Sequence, residues 1–203
     1  GRLWLVGPEL ERFFRIAGPD GRGLQVVNLV DNAVLAEHDL SDREARVLWL
    51  EVAPEGDLAL AMQGRHLYVI DTADGSIQAE IESETEHPFA DASFSPSSDS
   101  IITITEYGAV HQFATDDGDL EESFRETQAY KGDGPIDWSQ RGDLVCFVER
   151  GFRLRVLYPS SGMIREDLVD NNRAIDRMSF SPSGAFLFAS MGRTPTIYRT
   201  DVW

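Results

Sequence analysis

Apolar positions recur along this chain in two interlocking registers. In the first, "LEVAPEGDLALAM" (50–62), "ASFSPSSDSIITI" (92–104), "PIDWSQRGDLVCF" (135–147) and "RMSFSPSGAFLFA" (177–189) stack on Val52, Phe94, Trp138 and Phe180, spaced 42, 44 and 42 residues apart. The opening "LWLVGPELERFF" (3–14) fits the same slot through Val6 and Pro8. In the second, "GLQVVNLVDNAVLAEH" (23–38), "HLYVIDTADGSIQAEI" (66–81), "AVHQFATDDGDLEESF" (109–124) and "RLRVLYPSSGMIREDL" (153–168) align without gaps. Their first apolar residues, Leu24, Leu67, Val110 and Leu154, lie 43, 43 and 44 apart. Val34, Ile77, Leu120 and Ile164 each follow ten positions later, the constant offset of a hairpin with a fixed loop. A fifth copy, "PTIYRTDVW" (195–203), stops at the turn.

Each repeat predicts four short strands. The first ends in a Pro- or Gly-containing turn, and the second is a continuous apolar run ("LALAM", "IITIT", "LVCFV", "FLFAS"). The third alternates, and the fourth is the most polar and acidic ("AEIES", "LEESF", "IREDL"). Continuous apolar runs mark strands buried on both faces, and polar alternation marks strands reaching solvent. Burial should therefore fall from the inside strand outward. Asp-Gly, Asn-Ala and Ser-Gly pairs punctuate the turns, and no helix-length window carries a 3.6-residue period. The fold class is all-β.

Four-stranded repeats of about 43 residues are the pattern of β-propeller blades. With "FSPSSD" and "FSPSG" at the first turn and "LYVIDTADG" in a third strand, the chain resembles the WD-repeat-like propellers over nearly its whole length. No Trp-Asp pair closes a third strand and no Gly-His pair opens a blade, so the repeats are degenerate. The resemblance implies blades at about 1–45, 46–88, 89–131, 132–174 and 175–203, four complete and a partial fifth. The chain is then expected to be a segment of a larger propeller, or to have its last blade completed by another element; the alternative is a self-contained five-bladed ring. The recurring "SFSPS" is read as a turn required by every blade. It has no G-x-S-x-G surroundings that would make its serine a nucleophile.

Composition narrows the partners. The hydrophobic share is 42% and the aromatic share 10%, ordinary for a folded domain. No apolar run approaches the roughly 20 residues that cross a bilayer as a helix, and no charged-then-apolar leader is visible. Acidic residues outnumber basic ones 35 to 18, for a net charge of −17, and Lys131 is the single lysine. Such a surface repels nucleic acid and anionic membrane. The single cysteine, Cys146, excludes an internal disulfide and a cysteine-cluster metal site, and suits an intracellular, cytoplasmic setting.

Arginine recurs at the turn between second and third strands. Arg22 in "DGRG", Arg65 in "QGRH" and Arg193 in "MGRT" occupy the same position, Arg150 in "ERGF" lies near it, and Tyr107 stands there in "EYGA". A guanidinium fork there could grip a carboxylate or phosphate of a partner. A solvated hairpin tip accounts for the same residues. By the resemblance, these turns share one rim with the loops joining the blades, which contribute Tyr130, Asn171, Asn172 and Arg173. "TDDGDLEE" (115–122) lacks the alternating oxygens of an EF-hand and reads as an Asp-Gly turn. His38, His66, His87 and His111 show no ligand spacing, and no phosphate loop is present. Neither a cofactor nor a metal is expected. The family role implied is a non-catalytic scaffold binding a protein or peptide; the alternatives are a small-ligand sensor and a propeller enzyme of hydrolase or lactonase type.

Overall fold

The structure is a computed structural model that describes residues 3–5, 12–18, 20–40, 45–126, 134–170, 174–191 and 194–203. It is all-β: no helix occurs among the described residues, which form five small antiparallel sheets. Four have four strands and one has three, each a meander in sequence order. The sheets are β1 (Leu3–Leu5), β2 (Arg12–Ala17), β3 (Gly23–Asn28) and β4 (Val34–Asp39); β5 (Trp49–Val52), β6 (Leu58–Gln63), β7 (His66–Asp71) and β8 (Ile77–Glu82); β9 (Phe89–Phe94), β10 (Ser100–Thr105), β11 (Val110–Ala114) and β12 (Leu120–Arg125). Then follow β13 (Ile136–Trp138), β14 (Val145–Glu149), β15 (Arg153–Tyr158) and β16 (Met163–Asp170), and finally β17 (Arg177–Phe180), β18 (Phe186–Met191) and β19 (Thr194–Arg199).

The chain divides into two compact units, Gly1–Glu86 with Thr115–Asp119, and His87–Ala114 with Leu120–Trp203. In the first, Phe14, Leu24 and Val26 of one sheet pack with Ala59, Ala61, Tyr68 and Ile70 of the next. In the second, the β13–β16 sheet is covered on both faces. Val145, Phe147 and Leu157 meet Ile102, Ile104 and Val110 on one side. Leu144, Cys146 and Val156 meet Phe180, Leu187 and Ala189 on the other. Because successive side chains of a strand point to opposite faces, double coverage requires an unbroken apolar run. Every residue of β6, β10 and β14 is accordingly buried, whereas β12 is exposed along most of its length.

The repeated Ser-Pro phrase is a turn knitted by its own serine. Ser95 N–H donates to Ser100 O at 2.8 Å, Ser98 N–H to Ser95 O at 3.0 Å, and Ser100 N–H to Ser95 Oγ at 3.1 Å. That hydroxyl donates onward to Asp99 Oδ1 at 2.8 Å. Ser139 makes the same set with Leu144, Gly142 and Asp143, and Ser181 repeats the backbone bonds with Phe186 and Gly184 and accepts from Phe186 N–H through Oγ at 3.2 Å. In the β5–β6 turn Ala53 keeps only the backbone bonds, from its N–H to Leu58 O and from Gly56 N–H to its own carbonyl. The serine thus satisfies a strand-opening N–H. Ser95→Ala should cost about 1 kcal/mol, the usual loss of one buried hydrogen bond. Urea unfolding with an unchanged m-value checks it; an unaltered midpoint would mean the backbone bonds suffice.

Candidate functional site

The first strands of the three sheets in the second unit lie side by side, and each carries an acid or hydroxyl toward the next. Asp91 on β9 accepts from Ile136 N–H on β13 at 3.0 Å. Asp137 on β13 accepts from Phe180 N–H on β17 at 2.7 Å. Between them, Ser93 Oγ accepts from Trp138 N–H at 3.4 Å and donates to Asp137 Oδ1 at 3.5 Å. A strand at a sheet's inner edge has N–H groups with no partner in its own sheet, and these side chains supply acceptors from the sheet next door.

Both carboxyls are costly to ionise there. Burial raises Asp91 to about 7, against the opposing pull of the Ile136 and Ala92 N–H groups, and the neighbouring Asp137 charge adds to the rise. Burial likewise raises Asp137 to about 6, opposed by the Phe180 and Trp138 N–H groups. The Cys146 thiol is pushed well up by complete burial, with a further contribution from Asp137. Cys146 is therefore a small core residue without thiolate character.

A second polar cluster lies at the opening of the β14–β15 hairpin. Glu149 accepts from Arg155 through Nε at 2.9 Å and from Arg125 through Nη2 at 3.0 Å, and Arg155 Nη2 lies 2.6 Å from the same carboxylate. Arg125 also stands over the Phe147 ring at 5.4 Å. Burial alone would raise Glu149, but Arg155, Arg125 and Arg150 hold it below its ordinary value. The strands place these groups by register, Glu149 opposite Arg153 and Phe147 opposite Arg155.

The arginines singled out from the sequence sit at the expected hairpins. Arg22 follows β2 and approaches Asp20 at 3.6 Å; Arg65 joins β6 to β7, pairs with Glu82 at 3.1 Å and bonds Ser83 O at 3.3 Å. Tyr107 lies in the β10–β11 turn, stacked on His87 with ring centres 4.1 Å apart. Arg150 opens the β14–β15 turn with a left-handed backbone, φ 54°. Arg193, Tyr130, Asn171, Asn172 and Arg173 lie outside the described residues. The paired Arg22 and Arg65 are held by acids of their own sheets, which leaves exposed edges of each guanidinium rather than a bare cation.

His66 and His111 serve their own sheets, and His38 reaches the next. His38 Nε2 lies 2.7 Å from Gly75 O, His66 pairs with Glu80 at 3.1 Å, and His111 is buried with its ring edge-on to Phe113. The "TDDGDLEE" turn closes through Asp119 N–H to Asp117 at 2.9 Å, an Asx turn. No group of three or more metal-ligating side chains occurs among the described residues, and none of their helices could cross a membrane, since they form none. Asp91, Ser93, Asp137, Arg125, Glu149 and Arg155 were not singled out from the sequence. Their signal was an acid inside an otherwise apolar strand, as in "FADASF", "IDW" and "VCFVE". No protein-family model matches the chain, and no curated protein matches it.

The raised and lowered acids act in opposite senses. A carboxyl raised in the folded state, as Asp91 and Asp137 are, contributes stability that is full below its unfolded value near 3.8 and lost as pH rises through about 6 and 7. Glu149, lowered in the folded state, contributes stability present above its ordinary 4.5 and lost on acidification. The second unit should be most stable near pH 4 to 4.5, and its melting temperature should fall from about pH 4.5 to 7 and level off above, where both carboxyls are ionised in either state. Asp91→Asn should flatten that fall, because the amide oxygen still accepts from Ile136 but cannot ionise. A melting curve with the wild-type slope between pH 4.5 and 7 in this variant would show that another group sets it. At fixed pH 7, Glu149→Ala should cost about 1.5–3 kcal/mol in chemical denaturation, since it removes charge-assisted hydrogen bonds from two buried guanidiniums.

Proposed function

We propose that the chain is a non-catalytic interaction scaffold of the WD-repeat-like β-propeller kind, which binds a protein or peptide through its hairpin rim. The observation that carries this reading is the recurrence of Arg22, Arg65, Tyr107 and Arg150 in the second-to-third-strand hairpins of four consecutive sheets. The frame beneath is built from one turn chemistry and one burial scheme, so the hairpin tips can vary without altering the sheets. Arg and Tyr are the residue types that most often anchor protein interfaces, combining a planar contact surface with directed hydrogen bonds. The surrounding acids favour a partner that offers both carboxylate or phosphate for the guanidiniums and basic side chains for the net negative surface.

The buried carboxylates also support a structural role over a catalytic one. Asp91 and Asp137 each commit an oxygen to a backbone N–H of the adjoining sheet, a stapling use that needs no substrate. The triple variant Arg65→Ala, Tyr107→Ala and Arg150→Ala tests the rim. A partner captured by the wild-type chain and identified by cross-linking should bind the variant at least about tenfold more weakly, while the variant keeps the wild-type circular-dichroism spectrum and a cooperative melt lowered by no more than about 5 °C. Undiminished binding of every partner by the triple variant would remove the rim from the reading.

A further inference from the structure

At the opening of the β14–β15 hairpin the repeat replaces a neutral pair by a charged one. Gln63 ends β6 and Tyr68 is the third residue of β7; Glu149 ends β14 and Arg155 is the third residue of β15. In the β5–β8 sheet the Tyr68 hydroxyl donates to Gln63 Oε1 at 3.1 Å, with both residues buried. The frame therefore closes this position without a charge. In the β13–β16 sheet it holds the Glu149–Arg155 ion pair instead, and three more guanidiniums gather around it. Arg125 reaches the same carboxylate, Arg153 stands opposite Glu149 in the strand register, and Arg150 follows it in the chain. A buried ion pair brings little stability over a well-packed neutral pair, so packing does not account for the exchange.

The backbone of the turn points the same way. Arg150 has φ 54° and Gly151 φ 75°, and Phe152 N–H donates to Glu149 O at 3.2 Å. Two successive left-handed residues make a turn of the type I′ kind, whose first position favours Asn, Asp or Gly. The β6–β7 and β10–β11 hairpins use Gly64 and Gly108 at their own left-handed positions, with φ 62° and 80°. An arginine held at such a position costs stability that glycine would not, and residues of this kind collect at binding sites. The four arginines also grade outward. Arg155 and Arg125, with side chains 9% and 11% exposed, are committed to Glu149. Arg153 is half-buried over the Phe152 ring at 5.6 Å, and Arg150 is exposed.

We propose that Arg150 and Arg153 form a seat for a phosphate group, with Arg125 and Arg155 behind them supplying positive potential and Glu149 fixing those two in place. Against the four guanidiniums, the hairpin and its register partners carry two acids, Glu149 and Asp170, the latter opposite Arg153. The excess of two positive charges, on a chain with a net charge of −17, matches a phosphate monoester dianion. A carboxylate neutralises only one of them. The parallel N–H donors of a guanidinium fit phosphate oxygens pairwise. The inference deepens the scaffold reading at one hairpin and rests on it only for the phosphate being carried by a partner protein; the seat itself takes the free ion equally.

Inorganic phosphate titrated into the whole chain at about pH 7.5 and constant ionic strength should shift the Gly151 and Phe152 amide resonances saturably, with a dissociation constant of roughly 1–10 mM. Acetate should bind at least about tenfold more weakly. Arg150→Gly suits the turn, so its melting temperature should equal or exceed that of the wild type, while phosphate binds it at least about tenfold more weakly. Arg199→Gln, which removes an exposed guanidinium of the same unit, should leave phosphate binding unchanged. No saturable shift, an unaffected Arg150→Gly variant, or an equal loss in Arg199→Gln overturns the proposal, the last by showing diffuse attraction. Acetate bound as tightly as phosphate overturns it too, since the seat would then be one for carboxylates. Binding of N-acetyl-O-phosphoserine amide at least as tight as that of inorganic phosphate identifies a phosphorylated polypeptide as the source. Its exclusion leaves the free ion as the ligand of the seat. A failed seat leaves the scaffold reading to Arg22, Arg65 and Tyr107.

Discussion

The constraint on which this structure rests is the double burial of the second strand in three of the sheets, β6, β10 and β14. A strand such as β14 has no side chain facing water, with Val145 and Phe147 turned to one neighbour and Cys146 and Val148 to the other. Such a strand cannot be satisfied by a single sheet, or by a sheet with one covered face. It demands neighbours on both sides, and the sheets before and after β13–β16 supply them. The rest follows in order: the third strands are buried in their middles, and the fourth strands carry the acid that keeps the outside wet.

Packing by apolar faces fixes the separation of sheets but says little about how one slides along the next. In the second unit the polar staples supply that register. Asp91 reaches Ile136, Asp137 reaches Phe180, and Ser93 bridges toward both Trp138 and Asp137. A hydrogen bond tolerates only a few tenths of an ångström of displacement, so these contacts select one alignment from the several that the apolar faces would accept. The cost is two carboxyls held in an environment that disfavours their charge. The Glu149 cluster solves the opposite problem at the hairpin opening, where two arginines make ionisation favourable despite burial.

A frame specified by packing and staples leaves its tips unspecified. The hairpin residues pair with whatever acid or ring is local: Asp20 for Arg22, Glu82 for Arg65, His87 for Tyr107. The two ion pairs are shallow and water-exposed, which makes them weak individually and open to exchange for a partner's groups. The apolar side chains exposed on β17–β19 make a different kind of surface, whose solvent cost is fixed by Phe186, Phe188 and Ile197 whatever the rim does.

The strand plan was legible in the sequence because a period-2 or continuous apolar run has one structural meaning once it repeats. The aligned residues Val34, Ile77 and Leu120 open β4, β8 and β12, and Ile164 falls one residue inside β16. The turn role of "SFSPS" was legible too, because Ser, Pro and Gly act through their own backbone over a few residues. Asp91, Asp137 and Glu149 were not, because their partners lie one sheet or one strand away, and a carboxylate in an apolar run carries no mark of what it will bond. Arg65 could be placed on its hairpin but not paired, since Glu82 comes from the neighbouring strand β8. Nor could the sequence tell Phe188 from Cys146 or Ile102. All three hold the same place in the apolar pattern, and only the packed structure decides which of them a neighbouring sheet covers.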